Sequence, residues 1–144
     1  GMEDYPFSML ITALLLIGNW WLAFRVSYAR GKFARENNSE GFDHSAQIYM
    51  QTDVMHIFRN HANFQEHLMA FLPVFWLFAI CYSDLLAAIF GLLFLLGRTM
   101  YAKNYPASHK AGFLISLCSF FILLIGVATN AIYIIAYKYL SIGI

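Results

Sequence analysis

Charge is what this sequence has little of. Only 12% of its 144 residues are Asp, Glu, Lys or Arg, against 60% hydrophobic and 18% aromatic. A water-soluble domain of this size needs more charge than that to cover its surface. The net charge of +1 gives no clustered basic face of the kind nucleic acid requires, so no nucleic-acid partner is expected. Cysteine is scarce too: Cys81 and Cys118 both sit inside apolar runs without metal-type spacing. They read as buried small hydrophobes rather than a disulfide. Glycine-rich phosphate loops and nucleophile-elbow contexts are missing, which leaves nucleotide-enzyme and hydrolase readings without support. Internal repeats, low-complexity tracts and a second soluble domain are also missing.

What is present is a set of long apolar runs. Residues 7–24 are interrupted only by Ser8, Thr12, Gly18 and Asn19, and the run is about the length needed to cross hydrocarbon as a helix. Glu3 and Asp4 precede it where a signal peptide would carry positive charge, so it reads as a permanent span. Three more spans complete an all-α integral membrane protein, a single four-helix transmembrane domain over residues 1–144 with helices near 7–30, 54–82, 84–104 and 111–138. Pro73 predicts a kink or an opened backbone in the second helix. A barrel would show alternating rather than continuous apolarity. Eight of the nine basic residues fall in or beside the first and third connections. The positive-inside rule therefore predicts a cytoplasmic 31–52 loop and 104–110 turn, with both termini outside. The absence of a C-terminal retrieval signal favours a bacterial inner membrane over endoplasmic reticulum.

Polar groups cluster at one end of this apolar frame. The segment 59–67, Arg-Asn-His-Ala-Asn-Phe-Gln-Glu-His, runs directly into apolar sequence, where charged groups are costly and function is the default reading. At roughly 100° per residue, Arg59, Asn63 and Glu66 lie within about 60° of one another on one helix face. Arg98, Tyr101 and Tyr105 form a second stripe on the third helix at the same depth, and Arg30 at the end of the first helix can join them. Guanidinium groups pair with carboxylates while Glu66 can take an ammonium, so this inventory suits a small zwitterion with more than one carboxylate. The rival structural reading is interfacial anchoring, with Arg59 and Glu66 neutralising each other. His56, His61 and His67 spread over about 140° to 160° of the helix surface, unlike converging metal ligands, so no metal is expected. Most aromatics read as lipid-facing or bundle packing, and Gly91 and Gly112 as points of close helix contact.

Three segments carry a family resemblance: Ala29-Arg30-Gly31-Lys32-Phe33, the Arg-x-His-x-Asn-x-x-Glu pattern at 59–66, and the run Gly97-Arg98-Thr99-Met100-Tyr101-Ala102-Lys103-Asn104-Tyr105. In order and spacing they resemble the MAPEG superfamily, which includes microsomal glutathione transferases, the cysteinyl-leukotriene synthase and a non-catalytic relative that activates lipoxygenase. The smaller microsomal glutathione transferases look most similar. The resemblance implies a homotrimer that binds glutathione as co-substrate between subunits, with no prosthetic group. It carries glutathione binding onto Arg30, Arg59, Asn63, Glu66, Tyr101 and Tyr105, with Arg98 in support and His61 and His67 as secondary pocket residues. The implied reaction is transfer of the glutathione thiolate to a lipophilic electrophile drawn from the bilayer, or reduction of a lipid hydroperoxide. The alternative is a non-catalytic lipid- or glutathione-binding protein that acts through a partner. One departure stands out: active relatives place an arginine just before the fourth helix, and here the nearest base is Lys110, a point charge rather than a rigid fork. Lys110 and Arg98 are the candidates for activating the thiol, since nearby positive charge lowers a thiol's pKa.

Overall fold

In a computed structural model, described for residues 1–37 and 50–140, four helices form one bundle. A single 3-10 turn at Met2–Asp4 leads into α1 (Pro6–Glu36), followed by α2 (Thr52–Cys81), α3 (Asp84–Asn104) and α4 (Lys110–Tyr139). All four are long and apolar enough to cross a membrane. At 1.5 Å per residue, α3 is about 31 Å long and α4 about 45 Å, so α3 just spans the hydrocarbon and α4 spans it with length to spare.

Helix α1 runs one and a half turns further than the expected end near residue 30, straight through Gly31. The added segment is rich in helix formers, carries a Lys32–Glu36 pair at 3.8 Å, and ends where Asn37 Nδ2 donates to the Phe33 carbonyl at 2.9 Å. The expected polar loop after it, from Asn38 to Gly41, lies outside the described residues. Helix α2 is continuous through Pro73. Proline removes one backbone donor, but the rest of the ladder holds in an environment where unpaired amides have no water to turn to.

The core is aromatic and centres on α2. Phe71 and Phe75 are fully buried, and Phe71 stacks on Phe94 of α3 with ring centroids 3.9 Å apart. Leu15 of α1 and Leu123 of α4 close the centre from either side, both fully buried. Outward faces are also apolar: Ile17, Trp20, Trp21 and Phe24 are exposed on α1, and Phe121 and Ile125 on α4. Such surfaces suit lipid rather than water. For the same reason the expectation for the cysteines is corrected: Cys81 and Cys118 are unpaired but exposed on the outside of the single chain. An apolar run implies burial only when the surrounding solvent is water.

Helices approach closely where side chains vanish. A Cβ on Gly97 would come within 2.7 Å of both the Gly112 carbonyl and the Ser116 amide, and one on Gly112 would strike the Gly97 carbonyl. Gly91 likewise admits Ile11 and Phe75, with a Cβ there only 2.7 Å from Ile11 Cγ2. The Gly97–Gly112 crossing brings the start of α4 against the last turns of α3, which sets the geometry of the polar end.

Candidate functional site

Antiparallel connectivity gathers the C-terminal ends of α1 and α3 and the N-terminal ends of α2 and α4 at one end of the bundle. Arg98 is the hinge of that end. It is only 2% exposed, and its Nη2 donates to Asn63 Oδ1 across the α2–α3 contact at 2.9 Å. Its guanidinium carbon lies 4.3 Å from the Tyr101 ring centroid and 5.7 Å from that of Phe64, a cation–π setting that compensates part of its lost hydration. Nε and Nη1 are buried without a hydrogen-bond partner. The two stripes read from the sequence are thus joined by a direct bond between side chains.

The rest of the α2 stripe faces outward. Asn63 is half-buried, while Arg59 and Glu66 are exposed, and neither charge belongs to an ion pair among the described residues. The anchoring reading, in which Arg59 and Glu66 cancel each other, is therefore not the arrangement adopted. Side-chain entropy and exposure favour two independent charges over a pair two helical turns apart. Arg30 is half-buried on α1 at the same end, and His61 is half-buried with Nε2 lacking a hydrogen-bond partner.

Tyrosines and histidines build the floor of this end. Tyr101 is buried and its ring lies 5.3 Å from Tyr105 and 5.3 Å from His109. Tyr105 and His109 are 5.5 Å apart, and His56 of α2 meets Tyr105 edge-on at 5.8 Å. His109 sits at the N-cap of α4, its Nδ1 2.8 Å from the Pro106 carbonyl. Lys110 follows as the first residue of α4 and is exposed. A cation at the positive end of a helix dipole is unfavourable by a few tenths to about 1 kcal/mol unless an anion sits there. His67 points instead towards Phe113, 5.8 Å away.

Sequence reasoning missed three members of this end. Asn60 is 4% exposed and its Nδ2 donates to the Ala102 carbonyl at 3.4 Å, a second tie between α2 and α3. Its signal was present, since it directly follows Arg59, about 100° round the helix from the stripe, and a buried amide in an apolar helix needs a partner. In the sequence His109 falls simply within the 104–110 turn, and His56 within a histidine set too spread for a metal. Their ring contacts depend on the turn of residues 105–109, which spacing along a helix does not describe. Among the described residues no three His, Cys, Asp or Glu side chains converge on a metal position.

Two grooves flank α1. One of about 910 Å³ lies between the end of α1 and the start of α2, with Tyr28, Lys32 and Asp53 among its walls. The other, about 660 Å³, lies between α1 and α3. Neither is lined by Arg59, Asn63, Glu66, Tyr101, Tyr105 or Lys110. Arg59, Glu66 and Lys110 stand on the surface of the single chain, with Asn63 and Tyr105 half-buried and Tyr101 buried.

Four apolar helices with a basic, tyrosine-rich end define a multi-pass membrane protein. The residue pattern of the MAPEG family matches positions 8–132, nearly the whole bundle. The chain belongs to that family, and hence to membrane proteins of eicosanoid and glutathione metabolism. It is also similar to an uncharacterized protein of Synechocystis sp. (strain ATCC 27184 / PCC 6803 / Kazusa), 34% identical over 124 residues that cover 81% of this chain and 82% of the relative.

Proposed function

We propose that this protein is a membrane-bound glutathione transferase that works as a homotrimer, with glutathione held at the basic end of the bundle between neighbouring subunits. The observation that carries the reading is the Arg98–Asn63 bond, which locks the α2 stripe to the tyrosines of α3. Around it Arg59 and Arg30 offer guanidinium groups for the two glutathione carboxylates, and Glu66 offers a carboxylate for its ammonium. Tyr101 and Tyr105 complete the binding set, with His61 beside it. The exposure of Arg59, Glu66 and Lys110 on one chain accords with a site that a second chain must close.

The chemistry follows from charge. Glutathione attacks as its thiolate, and the cations of this end, Lys110 nearest the start of α4, lower the thiol's pKa. Arg98 is buried against Asn63 and acts chiefly by positioning that amide and adding to the field. On a halo-nitroarene the sulfur–carbon bond forms and halide leaves. On a lipid hydroperoxide two glutathiones are consumed, giving alcohol, water and glutathione disulfide. The lipophilic partner reaches the site from the bilayer, and the basic end faces the cytoplasm of a bacterial cell.

A non-catalytic lipid- or glutathione-binding role is the second reading, favoured by lysine rather than arginine at the start of α4. Conjugation of a halo-nitroarene by detergent-purified protein, wild type beside Arg59→Ala, decides between them. Turnover lost in the variant supports the enzyme. Glutathione binding by calorimetry with no turnover in either protein assigns the binding role instead.

A further inference from the structure

The groove between α1 and α3 is built differently from the face that carries Arg59 and Glu66. Its apolar lining is Trp21 and Leu22 on α1, Phe64 on α2 and Leu95 on α3. Three cations also line it, Arg25, Arg98 and Lys103, and among the described residues no Asp or Glu does. They form a graded series from the exposed Lys103 through the half-buried Arg25 to Arg98 at 2% exposure. Arg98 gives only Nη2 to the protein and retains two buried nitrogens, Nε and Nη1, without a hydrogen-bond partner. The Asn63 bond and the Tyr101 ring compensate only part of the cost of burying this cation, and an anion arriving in the groove relieves the rest.

We propose that this groove holds an acidic phospholipid of the surrounding bilayer, its phosphate among Arg25, Lys103 and Arg98 and one acyl chain along the apolar wall. Basic pockets between transmembrane helices recognise such headgroups. The volume of about 660 Å³ lies in the range of small-molecule sites and accommodates a headgroup and part of a chain, not a whole two-chain lipid. The chain has a way onward: Leu92, one turn below Leu95 on the same face of α3, is 46% exposed. Gly18 lines the groove on α1, and a Cβ there would meet nothing nearer than Phe64 Cζ at 3.9 Å. A larger side chain there enters the groove without striking backbone.

The bound lipid links to the polar end through Arg98, whose other face holds Asn63. This proposal stands independently of glutathione transfer. Arg25, Lys103 and Gly18 belong to neither stripe.

Native mass spectrometry of the full-length protein in mild detergent tests it, with dioleoyl-phosphatidylglycerol, dioleoyl-phosphatidylcholine and oleate added in turn. The expected result is a retained phosphatidylglycerol adduct, with retention falling about fivefold for each cation removed in Arg25→Gln and Lys103→Gln. Arg25→Lys and Lys103→Arg should restore it, and Gly18→Leu should reduce it while thermal unfolding in detergent shows the fold intact. Equal retention of phosphatidylcholine overturns the proposal, as does oleate binding that outcompetes phosphatidylglycerol. So does undiminished phosphatidylglycerol retention in the double Gln variant. Calorimetric glutathione affinity should not change in Arg25→Gln or Lys103→Gln, which separates failure here from failure of the glutathione site.

Discussion

The two ends of this bundle handle polar groups in opposite ways. At the end where α1 begins, the fold consumes them: Asp84 at the start of α3 accepts the Phe7 and Ser8 amides of α1 at 3.0 and 2.8 Å. Trp76 Nε1 donates to Thr12 Oγ1 at 3.1 Å, and the Tyr82 hydroxyl to the Gly126 carbonyl at 2.7 Å. At the other end Arg59, Glu66 and Lys110 are exposed, Arg98 keeps two buried nitrogens without a partner, and so does His61 Nε2. The first end ties most of these groups into bonds between helices, one set capping the start of α1, although Ser8 Oγ is buried there without a partner. Groups left open at the second end are the ones available to a ligand.

That contrast predicts different failures. The largest effect belongs to neither end's side chains but to the crossing that presents the second end. Gly97→Val places a Cβ within 2.7 Å of the Gly112 carbonyl and the Ser116 amide, and backbone cannot yield as a side chain can. Loss of at least about 3 kcal/mol is expected, seen as failure to purify a folded protein or a large drop in thermal midpoint. A near-native midpoint would mean that α3 and α4 can separate without cost, and the shared floor of Tyr101 and His109 would lose its rationale. Next is Arg59→Ala, which removes one charge-assisted pair and should weaken glutathione binding about thirtyfold, from about 2 kcal/mol. Thermal stability without glutathione should barely move, because Arg59 is exposed and outside every ion pair among the described residues.

The contrast was only half legible in the sequence. Four spans and one charged end follow from run length and the placement of Arg and Lys, and both stripes follow from helical spacing, because a continuous helix fixes which residues share a face. Spacing cannot say which helix faces which. The Arg98–Asn63 bond, the Asn60–Ala102 tie and the Asp84 cap all cross between helices and depend on the packing of Phe71, Phe75 and Phe94. Asp84 is the plainest case: beside Ser83 it reads as the ordinary acidic opening of its own helix, yet its carboxylate serves α1, 76 positions earlier in the chain. The cysteines erred for another reason, since apolar sequence in lipid carries no information about inside and outside.

Smaller effects sharpen the comparison further. Lys110→Ala should lower conjugation about tenfold with glutathione affinity reduced less, since the field at the sulfur matters more to the thiolate than to the bound thiol. Ultraviolet difference spectra of bound glutathione should lose thiolate absorbance in this variant, and Lys110→Arg should preserve it. An unaltered signal in Lys110→Ala transfers the role to Arg98 or Arg30.

The smallest effect tests the closed end alone. Asp84→Ala leaves the Phe7 and Ser8 amides at the start of α1 without their acceptor, a loss of the order of a helix cap, about 1 kcal/mol. Pro6 at the first turn already lacks one donor, which keeps the number of stranded amides small. The thermal midpoint in detergent should fall by a few degrees. Glutathione affinity and phosphatidylglycerol retention should stay at wild-type values, because no residue of the basic end or of the α1–α3 groove touches Asp84. Asp84→Asn retains an acceptor oxygen and should recover part of the loss, one of the two bonds surviving. If instead Asp84→Ala weakened glutathione binding as much as it lowered stability, the two ends would be coupled through the length of α1 and α3. Their polar groups would then form one network, and the division of labour between a closed end and an open one would be wrong.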